Sequence, residues 1–254
     1  MSRKGVRPLE TGRRKGSDPV WHDVECGRYA ADLPLWAELA GAVGGRVLDV
    51  GAGAGRVALR LAAAGHDVTA LDRDAGLLAV LRARANAAGL RVDTVVADAA
   101  GFGAGEARFG LVAVPMQTIQ LLPGASARAA FFASARRAVA PGGLVALAIA
   151  EELESFEDEG VIPLPDVAER DGWRYVSQPT AVRERPEGTR IERLRHTIAP
   201  GGERTSEEDV IVLARVTVAG LHAEAAAAGL QPEATRHIDP TDDHVGSEVV
   251  VLRG

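Results

Sequence analysis

The chain contains one cysteine, Cys26. That excludes an intrachain disulfide and a thiolate zinc cluster. Lysine occurs only at Lys4 and Lys15, and every other basic residue is arginine. This scarcity reads as base composition and carries no functional inference. An excess of positive charge is also missing. The formal net charge is -6, whereas a protein that tracks nucleic-acid phosphates usually presents a basic domain. No apolar run approaches the roughly 18 residues that a membrane span needs. The opening segment MSRKGVRPLETGRRKGSDP lacks the apolar stretch of a secretory signal. What is present is an ordinary globular balance over 254 residues, 46% hydrophobic and 25% charged. The expectation is a cytoplasmic protein built on one large α/β domain.

Residues 1–17 hold six basic side chains against Glu10 and show no apolar period, which predicts a flexible basic tail. Regular patterning starts at Asp32. Leu33, Leu35, Trp36, Leu39 and Ala40 have helical spacing, with Pro34 in the first turn. Arg46–Val50 reads as a strand and Val57–Ala64 as a helix, and His66–Asp72 reads as a second strand. A helix over 75–88 ends at Gly89. Strands are predicted at Val92–Ala97, Phe109–Val114 and Leu144–Ala150, with a helix from about Ala125 to Val139. Near-continuous apolar strands alternating with helices imply a doubly wound parallel sheet. The rhythm then changes. Segments at 174–178, 189–197 and 210–215, with turns at Pro186–Gly188 and Pro200–Gly202, predict an antiparallel meander. It is read as an insertion at about 153–216 into a domain spanning 18–254. A helix at about 218–228 and strands near 234–238 and 249–252 complete the chain.

The loop Gly51-Ala52-Gly53-Ala54-Gly55-Arg56 joins the first strand to a helix. Glycines allow a tight turn and close backbone approach to a ligand, and a helix N-terminus suits a carboxylate or phosphate. Asp72 ends the second strand and Asp98 the third, at the edge where open α/β sheets bind ligands. A carboxylate at Asp72 can accept two ribose hydroxyls or cap the next helix; Asp98 can meet an adenine amino group or close a turn. The dinucleotide pattern needs glycine at position 56, where Arg56 stands, and no Gly-Lys-Ser/Thr follows for a phosphate-binding loop.

Together these residues resemble the class I S-adenosylmethionine-dependent methyltransferases. The family's first motif stands here as Asp49, Gly51, Gly53 and Gly55. Its ribose-binding acid matches Asp72 and its adenine-side acid Asp98. Its fourth-strand motif matches residues 109–117, with Gly110 in place of the common aspartate, and its Pro-Gly-Gly turn matches Pro141–Gly143. The resemblance covers about residues 18–150 and 218–254. It implies a Rossmann-like, seven-stranded, mostly parallel sheet whose last strand, Val249–Leu252, is antiparallel, with antiparallel strands inserted after the fifth. It implies S-adenosylmethionine as cofactor, bound by Asp49, Gly51, Ala52, Gly53, Gly55, Asp72, Arg73, Leu77, Asp98, Ala99 and Pro115. It also implies in-line methyl transfer to a small-molecule N or O acceptor, with Tyr29, Met116, Gln117, Glu151 and His196 as candidate acceptor-side residues. Val114-Pro115-Met116-Gln117 replaces the Asn/Asp-Pro-Pro-aromatic signature of enzymes that methylate base amines, so DNA is not the expected partner. A binding module without transferase activity and a nicotinamide oxidoreductase are the rival readings; a protein or RNA methyltransferase using the basic tail is a third.

Several other residues are open to two readings. The segment Trp21–Tyr29 is read as a cover for the cofactor, with Tyr29 either packing or functional and Arg28 either a solvated charge or a partner of the cofactor carboxylate. His196 is either a base or an exposed strand histidine. His237 to His244 contains ligand-type side chains at spacings that suit no metal, and no metal is expected. The acids Glu151, Glu152, Glu154, Glu157, Asp158 and Glu159 form a charged loop; Glu151 and Glu152 lie at a strand end, where a carboxylate could bind a cationic amine. The open edges of the meander allow a homodimer.

Overall fold

A computed structural model describes residues 19–103, 109–156, 163–242 and 244–254. The basic segment 1–17 and the acids Glu157, Asp158 and Glu159 lie outside the described residues. The chain begins with α1 (Pro19–Cys26) and α2 (Leu33–Val43). It then alternates β1 (Arg46–Val50), α3 (Arg56–Ala63), β2 (Val68–Asp72), α4 (Ala75–Ala87), β3 (Val92–Val96) and β4 (Phe109–Val114). A 3-10 turn (Thr118–Leu121), α5 (Gly124–Ala138) and β5 (Val139–Ile149) follow. Next come β6 (Asp166–Arg170), β7 (Trp173–Arg185), β8 (Gly188–Ile198) and β9 (Arg204–Leu213). The chain ends with α6 (Val218–Ala227), β10 (Gln231–Pro232), β11 (Arg236–Ile238) and β12 (Ser247–Arg253).

The main sheet runs β3-β2-β1-β4-β5-β12-β10, with β11 also on β12. Strands β1 to β5 pair in parallel, and β12 runs antiparallel to β5. Two apolar layers cover the two faces. Trp36, Leu39, Leu61 and Leu81 from α2, α3 and α4 fill one; Phe131, Phe132, Leu221 and Leu230 from α5, α6 and the turn after it fill the other. Burial on both faces is the physical cause of the continuous apolar runs in β1, β4 and β5. The carboxyl ends of the parallel strands then form one edge, where the loops gather.

Strands β6-β7-β8-β9 form a separate antiparallel sheet. Its way in and way out are joined at one residue. Buried Gln120 donates through Nε2 to the carbonyls of Ala150 and Ala214, at 3.0 and 3.2 Å. Its Oε1 accepts from Ala150 N–H at 2.9 Å, and its own carbonyl accepts from Ala214 N–H at 2.7 Å.

The structure departs from the sequence expectation in four places. The segment before α2 is partly helical, as α1, where Pro19 starts the turn and Trp21 and Val24 share a buried face. Strand β6 adds a fourth strand to the meander. The strand expected near 234–238 is present as the shorter β11, and an additional two-residue strand, β10, precedes it. Pro141-Gly142-Gly143 interrupts β5 instead of preceding it, because pairing with β4 holds at Val139 and resumes at Leu144. Gly110, where the family pattern has an acid, lies where a Cβ would overlap the Gly44 carbonyl. Only glycine lets β4 pass the turn before β1 at that distance.

Candidate active site

The loop after β1 carries Gly51, Gly53 and Gly55 at φ of 73°, 54° and 97°, all in the left-handed region that glycine enters without strain. A Cβ on Gly51 would overlap the Thr118 side chain, 2.5 Å from its Cγ2. Gly55 is the residue before α3, and Leu81 of α4 fills the place of its missing Cβ. The α3 N-terminus therefore opens onto the loop with its N–H groups directed at the sheet edge.

Asp72, at the end of β2, faces this loop. Its Oδ2 accepts from Gly53 N–H at 2.9 Å and its Oδ1 from Asp74 N–H at 2.8 Å. Each oxygen keeps a lone pair for a further donor. The helix cap is Asp74, whose carboxylate accepts from Gly76 and Leu77 N–H, so the capping alternative belongs to Asp74 and not to Asp72. Asp98 is exposed, and its Oδ1 accepts from Ala100 N–H at 2.8 Å, closing a turn. Ala99 lies partly buried beside it. Arg73 is exposed and Leu77 buried at the start of α4.

Asp49 is 1% exposed, and neither carboxylate oxygen has a hydrogen-bond partner. It shares the β1 face of Val47, toward α3. Burial pushes its pKa up to about 7, an effect offset in part by the Arg56 charge and by the Ala58 N–H, which lies near the carboxylate but outside hydrogen-bonding geometry. Pro115 is buried at the end of β4; Met116 follows at φ 51°, a left-handed conformation for a non-glycine residue. Gln117 leads into the 3-10 turn.

The loop is covered by α1. His22 fills the space that a Cβ on Gly53 would take, which would lie 2.8 Å from its Cε1. The ring Nδ1 is buried without a partner. Burial lowers the His22 pKa; Asp23 and Asp72 act against this, while Arg56 and Arg84 add to it. α1 is held by ion pairs on both sides. Asp23 pairs with Arg84 of α4 and Arg170 of β6. Glu25 takes a bidentate pair from Arg195 of β8, at 2.7 and 2.8 Å, and a hydrogen bond from Ser177. Trp21 meets Tyr175 edge-on and carries Arg195 over its ring. A cleft of about 310 Å³ beside α1 is lined by His22, Tyr29, Ala54, Arg56, Leu59 and Arg84 among others.

Arg56 stands where a third dinucleotide glycine would stand, and its side chain turns away from the loop. It makes a bidentate pair with Asp32, at 2.5 and 2.7 Å, and Trp36 Nε1 donates to the same carboxylate at 2.9 Å. Arg56 also donates to the Tyr29 carbonyl and lies over its ring. Tyr29 is buried with its hydroxyl unpartnered, and His244 stacks on it at 4.6 Å. Burial, then the Asp32 charge, raises the Tyr29 pKa, so its phenol stays protonated. Cys26 is pushed up to about 11, chiefly by burial, and is no nucleophile at neutral pH.

Two expected acceptor-side residues, His196 and Glu151, are engaged elsewhere. His196 is 9% exposed, so it is not an exposed strand histidine. Its Nδ1 meets Ser206 Oγ at 2.8 Å and its Nε2 faces Arg204, both on β9. Arg204 can only donate, so Nε2 accepts and Nδ1–H donates to Ser206. His196 also lies one residue from Arg195, so it projects from the opposite face of β8 to the one that meets α1. The Glu151 carboxylate accepts from Val218 N–H and serves the N-terminus of α6. Glu152 is exposed. His237 pairs with Glu248, and His244 stacks on Tyr29. Among the described residues no three His, Cys, Asp or Glu side chains gather as a metal site. Sequence reading missed His22, Asp32, Thr118 and Gln120. For α1 the signal was present in Pro19, Trp21 and Val24 at first-turn and i, i+3 spacing.

Residues 47–143 match the family model described as a methyltransferase domain. The sequence matches no curated protein. Solved structures match over nearly the whole chain. The sugar N-methyltransferase KedS8 from Streptoalloteichus sp. has a TM-score of 0.72 at 18% identity, covering 100% of both chains. DesVI from Streptomyces venezuelae gives 0.69 at 21%, covering 91% of this chain and 94% of its own. CalS10 from Micromonospora echinaspora, an amino pentose methyltransferase solved with bound S-adenosylmethionine, gives 0.67 at 21%, covering 96% and 100%. At these identities the likeness establishes the fold, including the inserted sheet. Residues 47–143 thus carry a methyltransferase domain, and the chain shares the fold of S-adenosylmethionine-dependent methyltransferases.

Proposed function

We propose that the protein methylates an amine nitrogen of a small, sugar-like acceptor. The observation that carries this reading is the whole-chain likeness to sugar N-methyltransferases, which extends through the inserted sheet. The residues present fit the cofactor. The three positive-φ glycines add no side chains of their own to the loop. A buried carboxylate without a partner, Asp49, suits a cationic group brought near it. Asp72 holds two free lone pairs for vicinal hydroxyls.

In this reading Gly51, Ala52, Gly53, Gly55 and Asp49 would hold the amino-acid end, and Asp72 with Arg73 the ribose. Leu77, Asp98, Ala99 and Pro115 would surround the adenine. When bound, the cofactor supplies a methyl group on a sulfonium leaving group. The chain's own task is to hold the acceptor nitrogen in line and keep water out. Met116 and Gln117, at the end of β4, and Tyr29, under α1, would line the acceptor side. The Tyr29 phenol, kept protonated by burial, offers a hydrogen bond and not a base. The net charge of -6 favours a neutral or cationic small acceptor over DNA.

Calorimetric titration with S-adenosylmethionine, S-adenosylhomocysteine and NAD, on wild type and Asp72→Ala, tests the cofactor assignment. Binding of the first two, weakened at least tenfold by the substitution, is expected. A screen of amino sugars and their hydroxyl counterparts, read by S-adenosylhomocysteine release, tests the acceptor. Turnover of hydroxyl acceptors alone would refute the nitrogen assignment.

A further inference from the structure

Histidine at position 22 belongs to none of the motifs that mark the fold, yet its ring lies on the glycine loop. The ring occupies the space that a Cβ on Gly53 would take, 2.8 Å from that position at Cε1 and 2.9 Å at Cδ2. A ligand that crosses Gly53 therefore crosses against this ring. The position of the ring is not left to chance. The helix that carries it is anchored through Asp23 to Arg84 and Arg170, and through Glu25 to Arg195 and Ser177. Trp21, one residue before it, is locked against Tyr175. Four elements, α4, β6, β7 and β8, thus set one imidazole.

The ring is also chemically unfinished. Nδ1 is buried with no partner, and a buried polar atom without one is a cost that a ligand can remove. The charged groups acting on the ring are Asp23, Asp72, Arg56 and Arg84, and burial is the largest influence of all. A neutral imidazole carries one N–H donor and one acceptor. The ligand group at a glycine loop followed by a helix N-terminus is an anion, so the donor is the useful half.

We infer that His22 is a cofactor-contacting residue, donating a hydrogen bond from its ring to the carboxylate at the amino-acid end of S-adenosylmethionine. The contact rests on the cofactor assignment above. It would make the seating of α1 on the loop sensitive to that end of the ligand and not to the nucleoside. The inserted sheet, through Arg195, Ser177 and Arg170, then reaches the cofactor by way of the helix it holds.

The test compares two probes on three proteins by calorimetry. S-adenosylhomocysteine carries the amino-acid end, and methylthioadenosine shares the nucleoside and lacks that end. His22→Ala is expected to weaken S-adenosylhomocysteine about tenfold, the worth of one charge-assisted hydrogen bond, and to leave methylthioadenosine unchanged. His22→Gln, which keeps an N–H donor, recovers part of the loss. Thermal melting is read alongside: His22→Ala gives up the packing of the ring on Gly53 and is expected to melt somewhat lower, His22→Gln less so. Unchanged S-adenosylhomocysteine affinity in His22→Ala overturns the contact. Equal weakening of both probes also overturns it, because that is the mark of a disturbed loop. If wild type binds neither probe, the cofactor assignment fails, and this inference with it. If wild type binds, Asp72→Ala weakens both probes and His22→Ala neither, only the His22 contact fails.

Discussion

Replacing Asp49 by asparagine isolates the cost of a buried carboxylate. The folded-state value of about 7 lies above the ordinary 3.8. Between these two values the folded chain binds more protons than the unfolded one, so stability falls as pH rises through the window and levels off above about 7. At 1.36 kcal/mol per unit, the cost is about 1 kcal/mol at pH 4.5, about 3 at pH 6 and about 4 at pH 8. Asparagine has nearly the same volume and does not titrate. Asp49→Asn is therefore expected to match wild type near pH 4 and to exceed it by up to about 4 kcal/mol at pH 8. The difference between the two proteins cancels the other carboxylates, including Asp23 and Glu25, whose values are held below normal by Arg84 and Arg195. Urea unfolding at pH 4.5, 6 and 8, without cofactor, reads it. A difference that does not grow with pH would refute the reasoning and show that Asp49 finds a partner on folding. The same variant titrated with S-adenosylhomocysteine tests whether the carboxylate binds the ligand it is proposed to hold.

Arg56→Ala leaves Asp32, 1% exposed, without its bidentate partner; a loss of about 3–5 kcal/mol is expected in urea unfolding at neutral pH. Gln120→Leu removes the hydrogen bonds that join Ala150 and Ala214. It should cost about 2–4 kcal/mol and open the inserted sheet to limited proteolysis before the main sheet. Glu25→Gln weakens the Arg195 pair and frees one edge of α1. Its effect on S-adenosylhomocysteine binding should disappear in a His22→Ala background, giving a coupled double-mutant cycle. Gly110→Ala forces a Cβ onto the Gly44 carbonyl and should destabilise by about 1–3 kcal/mol or more in thermal melting.

The order of strands and helices from Arg46 to Ile149 was legible in the chain itself. Those segments are short in range: apolar strands buried on both faces, helices with their own period, and glycines at the turns. Each local preference agrees with the global sheet. The loop at Gly51–Gly55 and the acids Asp49, Asp72 and Asp98 could be placed for the same reason, because each sits at a strand end that the sequence itself marks. The meander could be read from the alternation in 189–197. By contrast, the partner of Arg56, the clamp at Gln120, the ring over Gly53 and the employment of Glu151 at α6 depend on residues from 24 to 94 positions apart. No periodicity encodes such pairings. His196 shows the limit from the other side: its strand was evident, but which face of β8 meets α1 depends on how the inserted sheet docks. Charged side chains that look solvated in a sequence become buried pairs only when tertiary packing removes their water and supplies the opposite charge. That step decided how α1 covers the glycine loop.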